Sequence, residues 1–292
     1  MKRDHFHRHA ASELAAACAL DAKVDRTMLD SYSGATRLIF IAGDPIAQVK
    51  APQFLTRALQ ARAADRIVVP AHVHPVDLAR FMDMVARMPN VDGVIATVPH
   101  KFAMAGLCHA LSARAASIGA VNAVRRDAAG RWFGDMCDGE GYVAGLRRAG
   151  CEPAGRRVLL VGAGGAGSAI AHALVDAGVA SLALHDTDSA RRETLAAKLR
   201  AYGAAQVDIG SSDPTGCALV INASPMGMAA GDPLPVDLAG LVPSTFVGDV
   251  VTEPAIPPLI ELARQRGCAT LTGMGMFEAV RDCLLDFYLE TP

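Results

Sequence analysis

Short, wholly apolar runs alternate along the chain with longer stretches in which apolar residues recur every three or four positions, a pattern that predicts an α/β protein. In the first half, residues 38–42, 67–69, 94–96 and 121–124 read as strands, with helical patterns over 52–63, 75–86 and 101–113 between them. Strands separated by helices predict a mostly parallel sheet. From Gly139 a helical stretch runs to Arg148 and ends at Gly150. The run 158–161 then reads as a strand buried on both faces. Further strands are predicted over 181–184, 206–209, 219–221, 246–251 and 270–271, and a last helix runs from Met276 to the end. No internal repeat points to a solenoid or array.

The chain's 292 residues exceed the usual size of one domain and predict two, with a cleft between them. We place the change at Asp138: an N-terminal α/β domain over 1–137, a second domain over 138–273, and a final helix over 274–292 packing back on the first. Hydrophobic residues make up 51% and charged residues 20%, which suits a soluble protein rather than a disordered one. A formal charge of −2 gives no basic surface, so neither nucleic acid nor anionic membrane is an expected partner. The 7 cysteines are scattered and never spaced as CxxC, the usage of reduced thiols in the cytoplasm. No spanning run or secretory signal contradicts a cytoplasmic location. His5, His7 and His9 read as part of a frayed polar terminus.

Chemistry enters at VLLVGAGGAGSAIAHALVDAG, where Gly162, Gly164 and Gly167 stand in G-x-G-x-x-G spacing between a strand and a helix. The first glycine permits a tight turn, the second admits a pyrophosphate close to the backbone, and the third lets helix and strand pack. With Ala163, Gly165 and Ala166 they form a turn whose free amides, at the positive end of a helix, face phosphate. Asp186 ends the next strand, 24 positions beyond Gly162, where an acidic side chain accepts from the adenosine ribose hydroxyls and repels a 2′-phosphate. NAD is therefore expected over NADP. Arg191 and Arg192 follow and read as an exposed helix start.

A cofactor site needs a proton donor and acceptor. Lys101 follows a strand end and a proline-fixed turn in ATVPHK, and Asp138 sits in the glycine- and acid-rich GDMCDGEG. A lysine beside a carboxylate can exchange a proton with a hydroxyl while hydride leaves its carbon.

These segments together resemble the shikimate and quinate dehydrogenases from Gly43 to about Phe287. The resemblance is carried in order by GDPIAQVKAP, TVPHK, GAVNAV, GDMCDG, VGAGGAG, INASPMGM, VGDVV and TGMGM. It implies a substrate domain, a Rossmann-like NAD(P) domain and a returning C-terminal helix. It also implies catalytic roles for Lys101 and Asp138, ring-hydroxyl binding by Thr97 and Asn122, and cofactor contacts from Asn222, Met226 and Gly273. Asp186 stands where NADP-using members commonly carry arginine and looks like the NAD-preferring quinate type.

Departures from the family concentrate at the substrate carboxylate. Val49 and Ala51 occupy the places of two serines, Thr252 that of a tyrosine and Val280 that of a glutamine, while Met136 and Cys137 replace asparagine and threonine. Each lost hydrogen bond costs about 0.5–1.5 kcal/mol, more where a charge is held, so weak or absent shikimate activity is expected. His100, at a usually apolar place, reads as packed or solvent-facing.

Among the remaining groups, His72 and His74 alternate as metal ligands might on a strand, but no third ligand stands at useful spacing and no metal is expected. Met226, Met228, Met274 and Met276 read as packing residues near the cofactor, and Cys137 as a pocket-lining residue rather than a nucleophile. The expected activity is reversible hydride transfer between NAD(P) and the hydroxyl carbon of a small cyclic polyol, a quinate- or shikimate-like hydroxy acid, in a chain that is monomeric or homodimeric. The competing reading is a catalytically silent dinucleotide-binding regulator.

Overall fold

The apolar runs form two six-stranded sheets in a computed structural model that describes residues 32–290, Gln48 and Ala205 excepted. The histidine-bearing N-terminus lies outside the described residues. The first sheet and its helices are built by β1 (Arg37–Gly43), α1 (Ala51–Ala61), β2 (Arg66–His72), a 3-10 turn, α2 (Leu78–Ala86), β3 (Val91–Ala96), α3 (Lys101–Ala105), β4 (Ala110–Leu111), α4 (Ala113–Ile118), β5 (Ala123–Arg126) and β6 (Trp132–Asp135). Strand order is β2-β1-β3-β5-β6-β4.

This sheet is mostly parallel, as expected, with one antiparallel strand. β5 runs antiparallel to both β3 and β6. The cause is a tight reversal: Asp127 N–H donates to Arg131 O at 2.8 Å, with Gly130 at φ +76°, and a short hairpin can join only antiparallel strands. The helix expected over 101–113 is likewise divided. It stops at Gly106, β4 intervenes, and α4 restarts where Ser112 Oγ accepts from Ala115 N–H at 3.2 Å.

The second half continues with α5 (Asp138–Arg148), β7 (Arg157–Val161), α6 (Gly165–Asp176), β8 (Ser181–His185), α7 (Ser189–Tyr202), β9 (Val207–Ile209), β10 (Leu219–Asn222), β11 (Phe246–Asp249), α8 (Pro258–Gln265), β12 (Ala269–Leu271) and α9 (Gly273–Leu289). Its strands are all parallel in the order β12-β11-β10-β7-β8-β9. Strand order reverses between β7 and β10, the place where doubly wound sheets open a ligand crevice at their carboxyl ends. Val158, Leu159, Leu160 and Val161 are all buried, as a strand covered on both faces requires.

Two helices bring the sheets' functional ends together. On α5 and α6, Tyr142, Leu146, Ile170 and Leu174 are fully buried in one cluster, each worth about 1.5–3 kcal/mol of apolar burial. The helices meet closely at Gly139, where a methyl group would come within 2.2 Å of Ala169 O. Residue 138 is thereby delivered beside the turn that starts α6. The last helix, α9, packs mainly on α5 and also touches α1 and β5. No helix among the described residues is long and apolar enough to cross a membrane.

Candidate active site

Lys101 opens α3 just beyond β3, Asn122 immediately precedes β5, and Asp138 opens α5. Their side chains meet. Lys101 Nζ donates to Asp138 Oδ2, and Asn122 Nδ2 donates to Asp138 Oδ1 at 2.7 Å. Asn122 Oδ1 in turn accepts from Cys137 N–H at 2.8 Å, which fixes the amide's orientation. The lysine and aspartate side chains are 14% and 9% exposed, so a charge-assisted contact is sheltered from water on most sides. Below it, Arg114 Nε donates to Asp135 Oδ1 at 2.7 Å, and Asp135 accepts from Met136 N–H at 2.8 Å. These bonds hold the strand end from which Cys137 and Asp138 emerge.

The glycine-rich turn adjoins this triad. A methyl at Gly165 would stand 3.0 Å from Lys101 Cδ, so the lysine stem lies directly against the first residue of α6. Gly162 has φ +104°, and a methyl at Gly167 would reach 2.0 Å from Gly162 O. Both are glycines because the turn closes on itself. Gly164 differs, since a methyl there would meet no protein atom within 4 Å. Nothing in the chain's own packing demands its small size, which fits a backbone kept bare for a ligand. Gly164 also caps α6 without a side-chain hydrogen bond, leaving the first-turn amides to whatever approaches.

Asp186 directly follows β8. Its Oδ2 accepts from Ala163 N–H at 2.7 Å and its Oδ1 from Asp188 N–H at 2.8 Å, so the carboxylate is tied to the turn with lone pairs left over. Asn222 and Met226 behave otherwise. Asn222 is fully buried, donating to Met226 O at 3.0 Å and to Asp249, while accepting from Ser224 Oγ at 2.6 Å. Its polar atoms are spent on shaping the loop after β10. Burial pushes the Asp249 carboxyl up to about 7. Gly273, at the start of α9, is required by the chain itself, for a methyl would reach 2.1 Å from Val251 O.

Several positions read from the resemblance as departures are apolar and packed in or against the core. Ala51 and Val280 belong to the same buried cluster as Cys137, and Val49 packs against it. Between Val49 and Ala51, Lys50 Nζ donates to Thr252 O at 3.2 Å and to Glu253 Oε2 at 2.7 Å, tying the loop after β1 to the loop after β11. Thr97 lies at the end of β3, so close to Gly43 that a methyl on Gly43 would reach 2.4 Å from Thr97 Cγ2. The contacts of Gly165 with Lys101 and of Lys50 with Glu253 had no signal in the sequence, because each joins segments more than 60 positions apart.

Three side readings are sharpened. Cys137 is fully buried in the apolar core and its thiol is pushed well up, first by Cys283 and then by burial, so it is a core residue rather than the pocket-lining one expected. His100 is packed: it is 1% exposed and its Nε2 donates to Val73 O at 2.8 Å. The expectation that His72 and His74 lack a third partner is corrected. Asp44 joins them, its carboxyl held below the ordinary value by hydrogen bonds with His72 and His74, while His74 is raised by Asp44.

Residues 41–124 match the family model described as the shikimate dehydrogenase substrate binding domain. The shikimate dehydrogenase (NADP(+)) of Rhodospirillum rubrum is 35% identical over 255 residues, covering 84% of this chain and 88% of that protein. Among solved structures, the ligand-free 5-ketofructose reductase of a Gluconobacter species is 28% identical with a TM-score of 0.80, covering 88% of this chain and 94% of that one. The quinate dehydrogenase of Corynebacterium glutamicum, solved with NAD, is 28% identical with a TM-score of 0.79 and covers 87% and 94%.

Proposed function

The chain belongs to the shikimate dehydrogenase family, and on that premise we propose that it is a nicotinamide-dependent dehydrogenase of a small polyhydroxylated cyclic substrate. Among the described residues, 37–137 form its substrate side and 138–273 its cofactor side. The carrying observation is the Lys101–Asp138 pair lying against Gly165, which puts a proton-transfer group beside the phosphate turn. When bound, the nicotinamide supplies or takes up the hydride. Lys101 Nζ gives a proton to the substrate oxygen in reduction and receives it in oxidation. Asp138 holds the lysine and accepts from a neighbouring hydroxyl, while Thr97 and Asn122 orient the ring. The turn from Gly162 to Gly167 receives the pyrophosphate.

The adenosine end favours NAD. The Rhodospirillum relative is named for NADP(+), but an anionic Asp186 tied to the turn by Ala163 opposes a 2′-phosphate and accepts from ribose hydroxyls. A quinate- or shikimate-like hydroxy acid is one substrate class. A polyol or cyclic ketose without a carboxylate is the second reading, supported by the apolar Val49, Ala51 and Val280 and by the engagement of Lys50 with Glu253. A silent regulator is disfavoured by the intact Lys101–Asp138–Asn122 set. The test follows nicotinamide absorbance with NAD and NADP against quinate, shikimate and carboxylate-free analogues. Turnover of any of them with NAD supports the reading; clear NAD binding with no turnover across the panel overturns it.

A further inference from the structure

Away from the triad, two imidazoles and a carboxylate converge where β1 and β2 end. Parallel pairing sets Gly43 beside His72, and Val73 N–H donates to Gly43 O at 3.1 Å. That register puts Asp44 against Val73, within reach of the histidines on either side of it. His72 Nε2 lies 2.8 Å from Asp44 Oδ1, and His74 Nδ1 lies 3.0 Å from Asp44 Oδ2. The three groups each offer a ligand atom, and these atoms all lie within 4.8 Å of one another.

The backbone beneath them is held from three directions. Asp44 N–H donates to Val98 O at 2.9 Å, Val73 is joined to Gly43, and the buried His100 imidazole donates to Val73 O at 2.8 Å. The side chains themselves face solvent: His72 is 52% exposed, His74 65% and Asp44 27%. A rigid base with open ligands is how a preorganised ion site is built.

We propose that Asp44, His72 and His74 bind a divalent ion of the zinc class, with water completing its coordination. Two imidazole nitrogens and one carboxylate oxygen suit zinc and its first-row neighbours. Magnesium and calcium call for more oxygen ligands than this cluster offers. Ligand atoms around one tetrahedral zinc stand about 3.3 Å apart, from metal–ligand lengths of about 2.0–2.1 Å. Each imidazole nitrogen already lies within about half an ångström of that spacing from a carboxylate oxygen, but on different oxygens, so binding through one oxygen turns the Asp44 carboxylate and adjusts two imidazoles whose ligand atoms lie within 4.8 Å of each other. On binding, each neutral imidazole turns a ring-nitrogen lone pair to the ion and keeps its proton on the other ring nitrogen, while any imidazolium form first gives its extra proton to solvent. Asp44 also begins the segment leading to Val49 and Ala51, so the ion would clamp that segment to the end of β2.

The test uses the full chain carrying His5→Ala, His7→Ala and His9→Ala, which removes the competing terminal imidazoles. Zinc chloride is titrated against a chromophoric zinc indicator, and cobalt chloride is added in a parallel spectroscopic titration. The proposal expects one ion per chain, weakened at least about tenfold by His72→Ala and separately by His74→Ala. It also expects cobalt absorption in the visible without a sulfur-to-cobalt charge-transfer band. Circular dichroism confirms that both variants are folded. Absence of stoichiometric binding, binding unchanged in both histidine variants, or a thiolate band would each overturn it.

Discussion

The two ends of the candidate substrate site are built on opposite principles. At the triad, every polar group has a partner: Lys101 donates to Asp138, Asp138 accepts from Asn122, and Asn122 accepts from Cys137. At the other end, Val49, Ala51 and Val280 sit in or against the apolar cluster, and the nearby Lys50 is committed to Glu253. The groups suited to proton transfer are thus held together by hydrogen bonds, while Val49, Ala51 and Val280 offer no side-chain donor to an anion. A family member can keep its reaction and change its substrate because these two ends make separate demands, one for charge held in place and the other for complementarity to a substituent.

The sharpest way to break this contrast is to remove the proton donor. Lys101→Ala should lower kcat by about 10²–10⁴-fold, the usual contribution of a positioned acid or base, while cofactor affinity stays within a few-fold. Steady-state kinetics with the best substrate from the panel, together with a dinucleotide-binding titration, separates the two. A loss confined to KM would make Lys101 a binding residue and remove the chemistry from this end.

Asp249 shows what burial does to a carboxylate that has no cation hydrogen-bonded to it. It is buried, accepts from Asn222 and the Val251 amide, and its carboxyl is pushed up to about 7. The folded chain therefore holds a proton that the unfolded chain, with a carboxyl near 3.8, releases between these values. Its contribution to stability is complete below about 4 and is lost as pH rises through about 7. Asp249→Asn should remove this dependence, on the order of a few kcal/mol by pH 8. Melting curves between pH 5 and pH 8 would check it: the parent should lose more stability with rising pH than the variant. Smaller in scale is the ribose end. Asp186→Asn should shift the ratio of kcat/KM for NAD over NADP about tenfold toward NADP, as expected when about 1.4 kcal/mol of charge repulsion is relieved. An unchanged ratio would move cofactor choice elsewhere.

Much of this architecture was legible because parallel strands buried on both faces are written as plain apolar runs. The strand at 158–161 and the glycine turn after it were readable for that reason. What escaped was set by contacts distant in sequence. The hairpin between β5 and β6 turns on Asp127 and Gly130, a short polar signal between the strand expected at 121–124 and one at Trp132–Asp135 that was not expected; the helix break at Gly106 was masked by flanking alanines that suit a helix. At the site, Lys101 and Asp138 stood out through their segments, yet the meeting of Lys101 with Gly165 depends on how α5 packs on α6 at Gly139. Asp44 was in view within GDPIAQVKAP, but only the β1–β2 register brings it to His72 and His74.

The smallest expected effect addresses the apolar end directly. Val49 is half-buried beside Lys50, whose ammonium points across to Thr252 and Glu253, so a hydroxyl introduced there would be accessible to a substrate group. Val49→Ser supplies one donor, worth about 0.5–1.5 kcal/mol to a hydrogen-bonded partner. It should improve kcat/KM for a carboxylate-bearing substrate by about two- to tenfold relative to its carboxylate-free analogue. The change should fall on KM, because the donor binds ground and transition states alike. Equal effects on both substrates would mean that the carboxylate is held elsewhere or not at all, and the two-ended description of the candidate site would fail at Val49.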